Sequence, residues 1–147
     1  MYRKLLVATD GSPLSKKAVR SAIDLASAVE AELVALYVVP RYPVSYFEGG
    51  VTIPQQEVAR IEEQWMQKGQ AVVDAVRDAA QAAGIKAKAI VSRSDLVAEA
   101  ILGAVKKNKC DLVVMASHGR KGIKRILLGS ETQHVLTHSS VPVLVLR

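Results

Sequence analysis

The chain of 147 residues is half apolar and carries a formal net charge of +6, and its length supports one domain that buries roughly 68–70% of its unfolded surface. No uninterrupted apolar run approaches the ~18–20 residues of a membrane span, and the opening Met1-Tyr2-Arg3-Lys4-Leu5-Leu6-Val7 lacks a signal-peptide cleavage pattern. The single cysteine, Cys110, excludes an internal disulfide and a cysteine-only metal cage; the expectation is a soluble, cytoplasmic protein with a buried structural thiol.

Runs rich in Val, Leu and Ile alternate with longer stretches of helical period, the pattern of a parallel sheet covered on both faces. The spacing predicts an α/β sandwich. Lys4–Thr9 is the first strand, Asp10-Gly11 turns the chain, and Ser12 and Pro13 are the cap and first residue of a helix. That helix reaches about Val29, with Leu14, Ala18, Ala22, Leu25, Ala26 and Val29 on one face. Glu32–Val39 is the second strand, stopped by Pro40.

Arg41–Ile53 contains Pro43, Gly49 and Gly50 and no clean period, so it reads as a long loop of the kind that often forms a lid. Pro54 opens a helix that continues to about Ala83 and ends at Gly84, a natural residue just past a helix end. Its predicted inner face is Val58, Ile61, Trp65, Val72, Val76, Ala79 and Ala83, which makes Trp65 a core residue rather than a stacking site. Lys86–Val91 is the third strand, Ser94 or Asp95 caps a helix through about Lys107, and Asp111–Ala116 is the fourth strand. Ser130-x-x-Gln133 is a capping-box pattern for the fourth helix, and Val141–Leu146 is the fifth strand.

Between Ala116 and Ser130 the chain reads A-S-H-G-R-K-G-I-K-R-I-L-L-G-S. Small residues leaving a strand and entering a helix N-terminus give a phosphate close backbone approach, N–H donors and the positive end of a dipole. Lys106 to Arg125 holds seven Lys/Arg and one Asp, so the rest of the chain sums to zero charge. A basic stripe also suits nucleic acid, but six aromatic residues in the whole chain supply few stacking platforms and no nucleic-acid motif is present. His134 and His138 lie one helical turn apart, without a following Glu or a third ligand, and read as surface histidines.

The spacing is neither GxGxxG nor GxxxxGK[ST]. It resembles the G-x2-G-x9-G-[ST] nucleotide-binding loop of the universal stress protein family. Gly119, nine residues, Gly129 and Ser130 match in register, while Ala116 stands at the first glycine position. V-A-T-D-G-S after the first strand, L-Y-V-V-P after the second and V-P-V-L-V near the end extend the resemblance along the whole chain.

The resemblance implies a five-stranded parallel sheet in the order 3-2-1-4-5, with ATP or AMP across the ends of strands one and four. Thr9 and Asp10 would lie at the adenosine end, the Asp10 carboxylate accepting from ribose or helping to hold a magnesium-bound nucleotide. Val39 would contact adenine, and the N–H groups of Gly119, Gly129 and Ser130, with the Ser130 hydroxyl, would bind phosphates. Arg120 is expected to add a phosphate contact, and Asp10 and Ala116 to face one crevice. A plainer reading makes Asp10 a turn residue, Ser130 a helix cap and Gly119 a turn former.

The resemblance also implies a homodimer through Val141–Leu146, with Val143 and Leu144 in the contact. Three functions follow: a regulatory nucleotide-binding module, a slow ATPase or self-phosphorylating enzyme, and a protein-contact module that binds no nucleotide.

Overall fold

The computed structural model describes residues 1–43, 53–119 and 128–147. The nine elements assigned there are β1 (Lys4–Ala8), α1 (Pro13–Val29), β2 (Glu32–Val39), α2 (Gln55–Ala82), β3 (Ala87–Arg93), α3 (Val97–Asn108), β4 (Leu112–Ala116), α4 (Ser130–His138) and β5 (Val143–Leu146). The strands form one parallel sheet in the order β3-β2-β1-β4-β5. This is the α/β architecture expected from the sequence.

Because side chains alternate along a strand, each central strand feeds two cores. Leu5, Val7, Leu33, Ala35, Val39, Leu112 and Val114 point toward Ala18, Ala22 and Ala26 of α1 and Val73, Val76 and Ala80 of α2. Leu6, Val34, Leu36, Val113 and Met115 point toward Ala98, Ile101 and Val105 of α3 and Val135 of α4. The small residues of α1 let the helix lie close to the sheet.

The expected inner face of α2 matches the buried one only in part over its second half. Val76 is buried as expected and Val72 packs against the core, but Gly69, Val73 and Ala80 complete the buried stripe, whereas Ala79 and Ala83 are exposed. Gly69 sets this approach, since a Cβ there would stand 2.8 Å from the Tyr37 ring and 3.2 Å from Val39 Cγ2. Trp65 does pack against the core, and Tyr42 stacks on it at 5.9 Å between ring centroids.

Two expected caps are replaced. The Ser94 hydroxyl accepts from Leu96 N–H at 3.0 Å and Asp95 Oδ1 accepts from Arg41 N–H at 2.9 Å, so neither caps α3. Glu131 of α4 does so, its Oε2 accepting from Ala98 N–H at 2.8 Å. The N-cap of α4 is Gly129, with Ser130 as the first helical residue and no side-chain cap bond; Gln133 donates instead to the Leu128 carbonyl at 3.0 Å. Among the described residues no helix is long and apolar enough to cross a membrane.

Candidate functional site

The sheet order reverses between β1 and β4, and open α/β sheets bind ligands outside the C-terminal ends of strands at such a switch point. Two segments of chain meet there. After β1, Thr9 N–H donates to the Leu36 carbonyl at 3.0 Å. The Thr9 hydroxyl lies 3.0 Å from Ser15 Oγ and accepts from Gly11 N–H at 3.2 Å. Asp10 Oδ1 accepts from Ser12 N–H at 2.9 Å, a side-chain-closed turn of the sort expected before glycine. Gly11 has φ +77°, which glycine adopts without steric cost.

After β4, Thr132 Oγ1 donates to the Ala116 carbonyl at 3.0 Å, and Ser117 N–H donates to the Leu146 carbonyl at 2.7 Å. Gly129 N–H donates to the Ser117 carbonyl at 2.6 Å, which brings the start of α4 back to the end of β4. A Cβ on Gly129 would stand 3.3 Å from His118 Cα and 3.4 Å from Ser117 O. A side chain there would press on the end of β4, and glycine avoids that crowding. Across the switch point, a Cβ on Gly119 would stand 2.9 Å from Asp10 Oδ2, so the turn after β1 and the loop after β4 converge, with the tip of the Asp10 side chain beside Gly119.

The universal stress protein family model matches residues 1–147. The chain belongs to the universal stress protein family. A universal stress protein of Methanocaldococcus jannaschii is 35% identical over 147 residues, covering 100% of this chain and 83% of the relative. The fold is also that of the universal stress protein UspA from Lactobacillus plantarum, with a TM-score of 0.84 at 22% identity over 99% of this chain and 98% of that one. A universal stress protein solved in complex with cAMP is 28% identical, with a TM-score of 0.65 over 98% of this chain and 95% of that one.

In this family member the switch point gathers Thr9, Asp10, Ala116, Gly119, Gly129 and Ser130, while Arg120 lies outside the described residues. Three expectations change in detail. Gly129 N–H is already committed to Ser117, which leaves α4's next N–H groups, beginning at Ser130, as the donors to consider. Val39 does not turn its side chain to solvent: it is 1% exposed, and its carbonyl accepts from Ser94 N–H at 2.9 Å. Ala116, expected to face the crevice, is buried and stands opposite Leu146 in the β4–β5 ladder, with extended backbone.

Beside Asp10, Gly11 and Ser12 a cavity of about 280 Å³ opens, with Lys16, Lys68 and Val72 as its other walls. A larger one, about 370 Å³, lies at the opposite end of the sheet, away from the switch point and from the N-terminus of α4. Sequence reasoning passed over Ser15, Thr132, Glu131 and Gly69. Thr132 was the most accessible of these, because it shares a helical face with Val135 three residues on and had to point inward.

Proposed function

We propose that this universal stress protein binds an adenine nucleotide, ATP or AMP, across the C-terminal ends of β1 and β4 and acts as a regulatory stress-response module. The observation that carries this reading is the 2.9 Å approach of a Gly119 Cβ position to Asp10 Oδ2. Backbone bare of side chains, set beside a carboxylate at a switch point, is what a ribose and its phosphate require. The N-terminus of α4 adds donors that lack a side-chain cap among the described residues, and its dipole favours an anion. The family member that binds cAMP supports an adenine nucleotide as the ligand class.

In this reading Thr9 shapes the turn through its bonds to Ser15 and Gly11, and Asp10 accepts from ribose hydroxyls. Val39 meets adenine through its backbone, where the carbonyl keeps a second lone pair beyond the one given to Ser94. Gly119 gives close approach, Ser130 donates to phosphate through its N–H and hydroxyl, Gly129 closes the loop, and Ala116 floors the crevice. Arg120 adds a phosphate contact. Magnesium fits as a companion of ATP, because Mg²⁺ takes one or two carboxylates plus substrate phosphates and Asp10 supplies one; the ion would neutralise phosphate charge. The output is a change of shape or of partner contact.

The same reading includes a homodimer through the β5 edge. Val143 is partly buried against the α3–α4 core and keeps a share in that contact through the remainder of its side chain. Leu144 is 39% exposed on the edge strand, and two copies pairing there would remove an unpaired sheet edge.

Thermal unfolding with AMP, Mg·ATP and GTP tests the nucleotide reading. Adenine nucleotides are expected to raise Tm in proportion to their saturation and GTP to raise it far less. An equal response to GTP, or no response to any of the three at millimolar concentration, contradicts it.

A further inference from the structure

The cavity of about 370 Å³ at the N-terminal edge of the sheet has Lys4, Glu32, Lys86, Lys88, Lys107 and Lys109 among its walls. Its charge comes from three places in the chain. Lys4 opens β1 opposite Glu32 of β2, Lys86 and Lys88 flank the start of β3, and Lys107 and Lys109 bracket the end of α3, where Lys109 takes the left-handed cap position with φ 56°.

Glu32 is shared, its Oε2 lying 3.3 Å from Lys4 Nζ and its Oε1 3.4 Å from Lys86 Nζ. The Lys4 ammonium, hydrogen-bonded to it, holds the Glu32 carboxyl below the usual range, and Lys86 adds to the effect. The nearby Asp111 carboxylate is turned to the Arg3 and Lys4 backbone N–H groups at 2.8 and 3.1 Å. Lys88 reaches only the neutral Asn108 Oδ1, at 3.4 Å, and Lys107 and Lys109 have no carboxylate partner among the described residues. Five lysines against one glutamate leave four positive charges in excess around the cavity.

The negative end of the α3 dipole accounts for part of this, since cations are favoured in a helix's last turn. That effect amounts to about half a charge and acts on Lys106 and Lys107; it gives no reason for Lys86 and Lys88 on a different element to close the same concavity.

We propose that this cleft is a second anion site, opposite the nucleotide site and independent of it, for an oligophosphate chain carrying three or more negative charges. The volume falls in the ~300–1,000 Å³ range of small-ligand pockets, and its concavity suits a compact polyanion better than a duplex or a bilayer. Lysine ammonium groups bind phosphate as point charges from flexible stems, so the ligand is selected by charge density rather than by a fixed fork geometry.

Inorganic tripolyphosphate titrated into the full chain at low ionic strength, followed by amide NMR, tests this. Saturable shifts are expected at Ala87, Lys88, Asn108 and Lys109. Lys88→Gln combined with Lys107→Gln is expected to weaken binding by about tenfold or more, and Glu32→Gln to strengthen it several-fold, because local charges change in opposite senses. Lys17→Gln, on the outside of α1, should leave it unchanged. ATP giving the same shifts while AMP does not would identify a nucleotide tail as the source, and tripolyphosphate alone giving them would identify a free chain; either supports the site. No saturable shift, weakening by Lys17→Gln equal to that of the paired substitution, or weakening by Glu32→Gln overturns it. The spectra report folding of every variant, and the shifts lie far from the switch point, so failure here leaves the nucleotide reading untouched.

Discussion

Gly119 and Gly129 occupy matching places in one motif, yet the space around them differs. A side chain on Gly129 presses on backbone atoms of Ser117 and His118, which cannot swing away, whereas one on Gly119 meets the tip of the Asp10 side chain. Substitution at 129 therefore damages loop closure as well as any ligand contact, and substitution at 119 is the cleaner probe of binding. Cys110 shows the same dependence on surroundings. Burial pushes its thiol up to about 11, so it stays protonated through neutral pH and should resist iodoacetamide at pH 8 until the protein is unfolded. Because the folded value lies above the unfolded one, its contribution to stability is complete below about pH 9 and fades as the pH rises through 11. Fast alkylation of the folded chain, measured by intact mass, would contradict that burial.

Between elements, the bonds that shape the site are the ones a local reading could not reach. Glu131 caps α3 from 33 residues away, and Thr132 ties α4 to the end of β4. Thr132→Val keeps the shape but leaves the buried Ala116 carbonyl without this donor, so chemical denaturation should show a loss of about 1–3 kcal/mol; a loss below a few tenths would mean that the bond does not matter. Strand and helix identities were legible because the apolar runs and the signals at Ser12-Pro13, Pro40 and Gly84 are local and strong. β2 begins and ends where the sequence places it, at Glu32 and Val39. The caps differ from expectation because Ser94 and Ser130 have the right chemistry, but the distant Glu131 serves α3 and α4 starts one residue earlier, from Gly129, with no side-chain cap bond. The α2 face was legible only in part because Gly69 carries no hydrophobic signal, although it fixes how that helix meets Tyr37 and Val39.

At the scale of the whole molecule, the cation-rich stretch from Lys106 to Arg125 is interrupted by the buried strand β4. Lys106, Lys107 and Lys109 precede β4 and lie at one end of the sheet, while Arg120, Lys121, Lys124 and Arg125 follow it. The latter four lie outside the described residues. The β5 edge is the proposed dimer contact: Leu144→Lys places a charge in that antiparallel pairing, and light scattering is expected to show a dimer for the wild type and a monomer for the variant. A wild-type monomer across micromolar concentrations would refute the dimer. The proposed nucleotide site is tested most directly by calorimetric titration of AMP into the wild type and Gly119→Val side by side, with circular dichroism confirming that both are folded. Saturable binding at one site per chain in the wild type, lost in Gly119→Val, is the expected result; equal affinity in the two proteins would contradict a nucleotide seated between Asp10 and the loop after β4.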